Sequence, residues 1–210
     1  MPSRLAELFQ DAKLVEKIKK RLPHLFQIGD LECSRAGKIG MEVGSVRERI
    51  VVALLIYKFG EANVETEIRI TEPETDAKLF GEPVSVKTIT GISFAGVKLI
   101  WTVDAQKARE FLANYKPSCD MLLVQINWMG TGGFYYIPLE VQKRVFTQLG
   151  RDRYIKLPKE GTNPRGVEIS KEALITLVKD AGSKGILINW QKTNVEFNSF
   201  KRWVDLWKEE

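Results

Sequence analysis

TEPETDAKLFGEPVSVKTITG, Thr71 to Gly91, decides how the rest of the chain is read. Two short alternating runs flank a Gly81-Glu82 pair, and a type II′ hairpin turn takes glycine at its first central position. A two-residue loop there opposes Phe80 with Pro83, Leu79 with Val84, Lys78 with Ser85, Ala77 with Val86 and Asp76 with Lys87. Opposed residues carry Cβ atoms about 5 Å apart. Alternation then puts Asp76, Lys78, Ser85 and Lys87 on one face, and Ala77, Leu79, Val84 and Val86 on the other. The apolar face belongs to a core; the polar face is open to chemistry or solvent.

Upstream, residues 3 to 20 read as an amphipathic helix and IGDLECSRAGKIGMEVGS as a glycine-rich loop. Ser45 is placed to cap VRERIVVALLIYKFG, a helix apolar almost all round that stops at Gly60 and so belongs inside. NVETEIRIT alternates Val64, Thr66, Ile68 and Ile70 with charged residues, the pattern of a half-buried strand. Downstream, SFAGVKLIWTV reads as a strand and AQKAREFLANY as a helix starting near Asp104. DMLLVQINW is an apolar strand, MGTGG a turn, FYYIPLE a second strand, and EVQKRVFTQLG a short helix. SKEALITLVKDAG is a helix capped by Ser170 and stopped by Gly182; GILINW is a late strand and FKRWVDLWKEE a terminal helix. With no repeat, low-complexity tract or linker, the pattern predicts one α/β domain over 1–210, with a mixed central sheet flanked by helices.

At 210 residues and 44% hydrophobic content the chain can bury one substantial core. No apolar run approaches the roughly 20 residues of a membrane span, and the charged start lacks a secretory segment, so a soluble cytoplasmic protein is expected. Cys33 and Cys119 are too few for a disulfide framework or a zinc site, and are read as reduced core thiols. A single histidine, His24, removes mechanisms built on histidine pairs and is read as structural. The net charge of +5 suits a polyanionic partner. Its density peaks between Lys143 and Arg165, where seven basic side chains face only Asp152 and Glu160, close to Phe134, Tyr135, Tyr136 and Tyr154. The plainer reading of that stretch is a solvated face.

Glu48 is the second clue. Its helical neighbours Val51, Val52 and Leu55 are apolar, so its carboxylate sits on a buried stripe and needs a partner. Arg47 and Arg49 flank it but point elsewhere around the helix. Either Glu48 pairs with a strand lysine or arginine for structure, or it faces the hairpin and joins Asp76 and Lys87. Two carboxylates and a lysine beside a serine and strand carbonyls fit a hard divalent cation, usually magnesium, which takes oxygen ligands and keeps several waters.

A buried helix carrying Glu48, an alternating strand, Asp76 on one hairpin arm and Ser85-Val86-Lys87 on the next resemble the core of the PD-(D/E)XK nucleases. Among them the chain is most similar to type II restriction endonucleases, in VSVKT at the lysine and more weakly in YYIPLEV and NPRGVEISKEALITLV. It also resembles the ThaI kind, small dimeric enzymes that cut CGCG. The resemblance implies a restriction-endonuclease-like core over about 42–130, with 131–210 supplying recognition and support. It implies Asp76 as central metal ligand, Lys87 as catalytic lysine, Glu48 as outer ligand or supporting acid, and the Val86 peptide carbonyl completing a magnesium site. Two departures stand out: Ser85 occupies a position that should be Asp or Glu, and Thr75 replaces the proline. Glu48, Glu74, Glu82 and Glu110 are the candidates to supply the missing acid.

For recognition, TQLGRDRYIKLPKEGTNPRG offers Arg151, Arg153 and Arg165 with Thr162 and Asn163. GKIGMEVG offers Lys38 and Met41, the latter as a wedge between base pairs or as core packing. A palindromic double-stranded DNA site demands a two-fold protein, so a homodimer is expected, with the amphipathic ends at 3–20 and 200–208 as interface or as sheet cover. The competing readings are a repair or junction nuclease on the same core, and an inactive DNA-binding relative lacking the acid at position 85.

Overall fold

The computed structural model describes residues 3–35, 38–40, 42–69, 72, 74–100, 102–157 and 166–209. Among them the helices are α1 (Glu7–Gln10), α2 (Ala12–Glu32), α3 (Val43–Phe59), α4 (Ala105–Asn114), α5 (Leu139–Leu149), α6 (Arg151–Tyr154), α7 (Lys171–Lys179) and α8 (Lys201–Leu206). The strands are β1 (Ser34–Arg35), β2 (Lys38–Ile39), β3 (Val64–Glu65), β4 (Ala77–Leu79), β5 (Glu82–Thr90), β6 (Val97–Ile100), β7 (Asp120–Ile126), β8 (Gly130–Ile137), β9 (Ile155–Lys156), β10 (Val167–Ile169) and β11 (Lys184–Trp190).

β7 organises the molecule. Its run MLLVQI is buried on both faces, which only a strand covered on both sides tolerates. It pairs in parallel with β5 and antiparallel with β8, and the described sheet runs β11-β8-β7-β5-β4-β3. Alternation divides the core in two. Val84 and Val86, Leu122 and Val124, and Phe134 and Tyr136 face Leu5, Leu8, Leu14, Val51 and Leu55 from the N-terminal helices. Ile89, Leu123, Tyr135 and Ile137 face α5, α7 and a second small sheet, β6-β10-β9. The mixed α/β architecture is as the sequence predicts. No helix among the described residues is long and apolar enough to cross a membrane.

The hairpin differs from its predicted register. Ala77 opposes Val84, Lys78 opposes Pro83 and Leu79 opposes Glu82, so the loop is Phe80-Gly81. Both residues have positive φ, 52° and 82°, the requirement of a type I′ turn. A phenylalanine there is strained and must be held from outside. Its amide donates to the Asn63 carbonyl at 2.8 Å, its ring meets Phe59 edge-on, and the Arg4 guanidinium lies 4.7 Å above it. Moving the loop by one residue changes each partner by two positions, so the division between faces survives.

Other boundaries move for physical reasons. Among the described residues of the predicted NVETEIRIT strand, only Val64–Glu65 pair, against β4, which is three residues long. The glycines of MGTGG enter β8 instead of forming the turn. A Cβ on Gly132 would stand 2.2 Å from the Gln125 carbonyl and 2.7 Å from the Trp190 indole nitrogen, so close packing explains its lack of a side chain. Residues 28–32, expected in a loop, complete α2, and α3 begins at Val43 with Glu42, not Ser45, at its cap position. Asp104 and Ser170 do cap α4 and α7, accepting from Lys107 and Ala173 amides at 3.1 and 3.0 Å.

Candidate active site

The hairpin arms place Asp76 against the middle of β5. Its amide donates to the Val84 carbonyl at 2.9 Å, and its Oδ2 accepts from the Val86 amide at 2.7 Å, the Lys87 ammonium at 3.0 Å and, at a longer 3.4 Å, the Ser85 hydroxyl. Ser85 and Lys87 share a face of β5 and are both buried. In the observed register Lys87 reaches Asp76 diagonally, a distance a long side chain spans. Asp76 Oδ1 is engaged by no described residue. Charge-assisted bonds of this kind are short and strong, so Asp76 fixes the position of the Lys87 ammonium.

Glu48 approaches from α3. It is half-buried, and burial pushes its carboxyl above the usual range; the Asp76 charge raises it further, and the Lys87 ammonium partly offsets both. The three groups therefore share one electrostatic field. Glu48, Asp76 and Lys87 line a single open cleft of about 1120 Å³, whose lining also includes Glu110, Tyr115 and Glu168. No described residue donates a hydrogen bond to Glu48. Its carboxylate is a partly buried negative charge beside another, an arrangement a hard cation relieves.

The other candidate acids separate clearly. Glu74 is tied down: Ser118 Oγ donates to its Oε2 at 2.6 Å and Cys119 Sγ approaches its carbonyl. Burial raises its carboxyl, and the Ser118 and Tyr115 hydroxyls oppose the shift. Glu110, on α4, lines the cleft and accepts from Gln106 at 2.9 Å. Glu82 is exposed at the hairpin end and lines a different hollow, with Arg4. Cys119, its thiol pushed up to about 12 by burial and by Glu74, is no nucleophile.

Among the recognition candidates, Met41, Thr162, Asn163 and Arg165 lie outside the described residues. Lys38 is exposed on the small β1–β2 hairpin. Arg151 is committed elsewhere: its guanidinium donates to the Leu112 and Tyr115 carbonyls at the end of α4 and lies over the Phe146 ring. Arg153 is exposed and paired with Glu172. Arg47, expected to point away, is buried against Asp30. Of the α4 residues that line the cleft, the sequence reading named Glu110 and missed Lys107, Phe111 and Asn114. Lys107, Glu110, Phe111 and Asn114 recur at i, i+3, i+4 and i+7 on α4, a spacing that places them on one face, but their mixed chemistry conceals the pattern.

Restriction endonuclease ThaI is the family whose pattern matches residues 8–209. A solved structure described as a restriction endonuclease in complex with substrate DNA is 62% identical, with a TM-score of 0.92, and the alignment covers 99% of this chain and 100% of that one. No curated protein matches. With the family match running nearly end to end over a fold and cleft of this kind, the chain belongs to the ThaI family of restriction endonucleases and is a type II, site-specific endodeoxyribonuclease.

Proposed function

We propose that this enzyme hydrolyses phosphodiester bonds of double-stranded DNA at a short palindromic site, with magnesium and as a homodimer, and that Glu48, Asp76 and Lys87 do the chemistry. The convergence of these three side chains in one cleft carries the reading. Restriction endonucleases generally depend on a metal ion. Here the donor set fits magnesium: two carboxylates, one with an oxygen no described residue uses, and hydroxyl and peptide oxygens nearby. Asp76, Glu48 and the Val86 peptide carbonyl would hold it. Bound there, it would acidify a water and neutralise charge on the phosphate.

The protein's own part follows from the geometry. Asp76 Oδ2 holds the Lys87 ammonium at 3.0 Å, aimed by a buried strand and ready to stabilise the charge that develops on the attacked phosphate. Glu48 supplies from a helix the carboxylate that Ser85 does not supply from the strand. Ser85 remains as a weak donor to Asp76. We assign DNA contact to Lys38 and Arg153, and to Met41, Thr162, Asn163 and Arg165. The similar restriction endonuclease is described with substrate DNA, which favours this assignment of a DNA partner.

Within the ThaI resemblance the site would be CGCG, and two copies would meet across it. Of the two ends expected to pair, the first buries Leu5, Leu8, Leu14 and Ile18 on the sheet. The second leaves Phe200, Trp203, Val204 and Trp207 exposed, which makes it the better candidate for the dimer contact. We assign it to the cytoplasm, as a reading that follows from its work on DNA. Residues 42–130 would form the catalytic core, and 131–210 recognition and support, although β8 and β11 of the central sheet come from the latter.

The test is incubation with plasmid and phage DNA, in magnesium or EDTA, beside a Lys87→Ala variant. Discrete magnesium-dependent fragments, absent in the variant, are expected, and their map reveals the site. A smear would point to a structure-selective nuclease, and DNA binding without cleavage to an inactive relative.

A further inference from the structure

Hydrophobic pattern gives the helix that carries Glu48 little reason to adopt one rotation over another. α3 reads VGSVRERIVVALLIYKF, with apolar residues on every side; it buries Val51, Val52 and Leu55 and exposes Ser45, Arg49, Ala53 and Tyr57, and a rotated helix would still bury an apolar surface. A directional contact supplies what packing does not. Arg47 is 5% exposed; its Nη2 and Nε donate to Asp30 Oδ1 at 2.7 and 2.9 Å, and its Nη1 to Thr90 Oγ1 at 2.8 Å.

The partners are informative. Asp30 belongs to α2, and Thr90 ends β5, three residues beyond Lys87 on the same strand. The Arg47–Thr90 bond therefore indexes α3 against the strand that presents the lysine. Successive helix residues are about 100° apart, so holding Arg47 toward Asp30 and Thr90 also fixes the direction of Glu48. Asp30 Oδ2 is buried with no partner among the described residues. Apolar side chains of similar volume often match or exceed the stability of such a pair, which makes orientation a better account of this one than stability.

We propose that Arg47, held between Asp30 and Thr90, is a positioning residue that sets the rotation of α3 and so places the Glu48 carboxylate against Asp76 and Lys87. The inference rests on the reading of Glu48 as a group of the active site. Thr90→Val removes the hydroxyl and keeps the ion pair. Its single-turnover cleavage rate should fall roughly ten- to hundredfold, the cost of a displacement near 1 Å. In a Glu48→Asp background, slowed but measurable, the same change should cost at most about a further twofold, because both act through one carboxylate. Manganese binding to the DNA-free protein, followed by electron paramagnetic resonance, should weaken in Thr90→Val and not weaken further in the double variant.

An equal fall in both backgrounds, or no fall in either, would overturn the proposal. If Glu48→Asp alone leaves the rate unchanged, the reading of Glu48 fails and this inference with it, a result separate from additivity.

Discussion

Asp76–Lys87 and Asp30–Arg47 are both carboxylate–cation pairs involving β5, and they differ in what surrounds them. The first lies at the wall of a cleft, with the aspartate side chain 23% exposed and one oxygen engaged by no described residue. The second is sealed, its side chains 6% and 7% exposed, and the arginine spends three donors on Asp30 and Thr90. One pair keeps ligand capacity in reserve. The other spends its directional capacity on joining three elements. The same chemistry thus serves reaction or geometry according to what is left over after pairing.

Five variants, four single and one double, break or sharpen that comparison. Asp76→Ala should give the largest effect, lowering the cleavage rate at least about a thousandfold by freeing Lys87 and removing the proposed metal ligand, with circular dichroism unchanged. Arg47→Ala should slow cleavage and also act on stability, costing about 3–5 kcal/mol in urea unfolding because Asp30 is left buried and unpaired. The double change Arg47→Met with Asp30→Leu should restore stability and leave cleavage slow, which separates orientation from stability.

Glu48→Gln should raise the melting temperature of the metal-free protein by about 2–4 °C. The sign follows from linkage: burial raises the Glu48 carboxyl in the folded state, so the folded protein holds that proton more tightly than the unfolded chain. Stability is therefore lost as pH rises from the ordinary carboxylate range through the raised value. The advantage of the variant should be present in melts at pH 8 and small at pH 4. Arg153→Ala sets the baseline. Its pair with Glu172 is exposed on both sides, and its loss should leave the urea unfolding midpoint unchanged. If Arg153 meets a phosphate, the salt dependence of DNA binding should fall by about one ion.

The faces of the hairpin were legible because strand alternation has a period of two, so a register error of two positions left Asp76, Ser85 and Lys87 together. The turn was not legible, since Phe80 at positive φ depends on Asn63, Phe59 and Arg4, contacts that local sequence does not carry. Glu48 was legible as a charge on an apolar helix. Arg47 was not: on a helix apolar all round, sequence does not show which side its guanidinium finds an acid. Apart from Glu110, the α4 wall was also hidden, because its cleft face mixes a base, an acid, an aromatic ring and an amide.

The central claim is that Glu48, presented by a helix, works with Asp76 and Lys87 in place of the strand acid that Ser85 lacks. Single-turnover cleavage by wild type and Glu48→Gln, measured across magnesium concentrations with DNA binding checked in EDTA, tests it most directly. The account predicts at least about a hundredfold loss of rate with binding retained. An unchanged rate and an unchanged magnesium dependence would contradict it, and would move the missing carboxylate to Glu74 or Glu110.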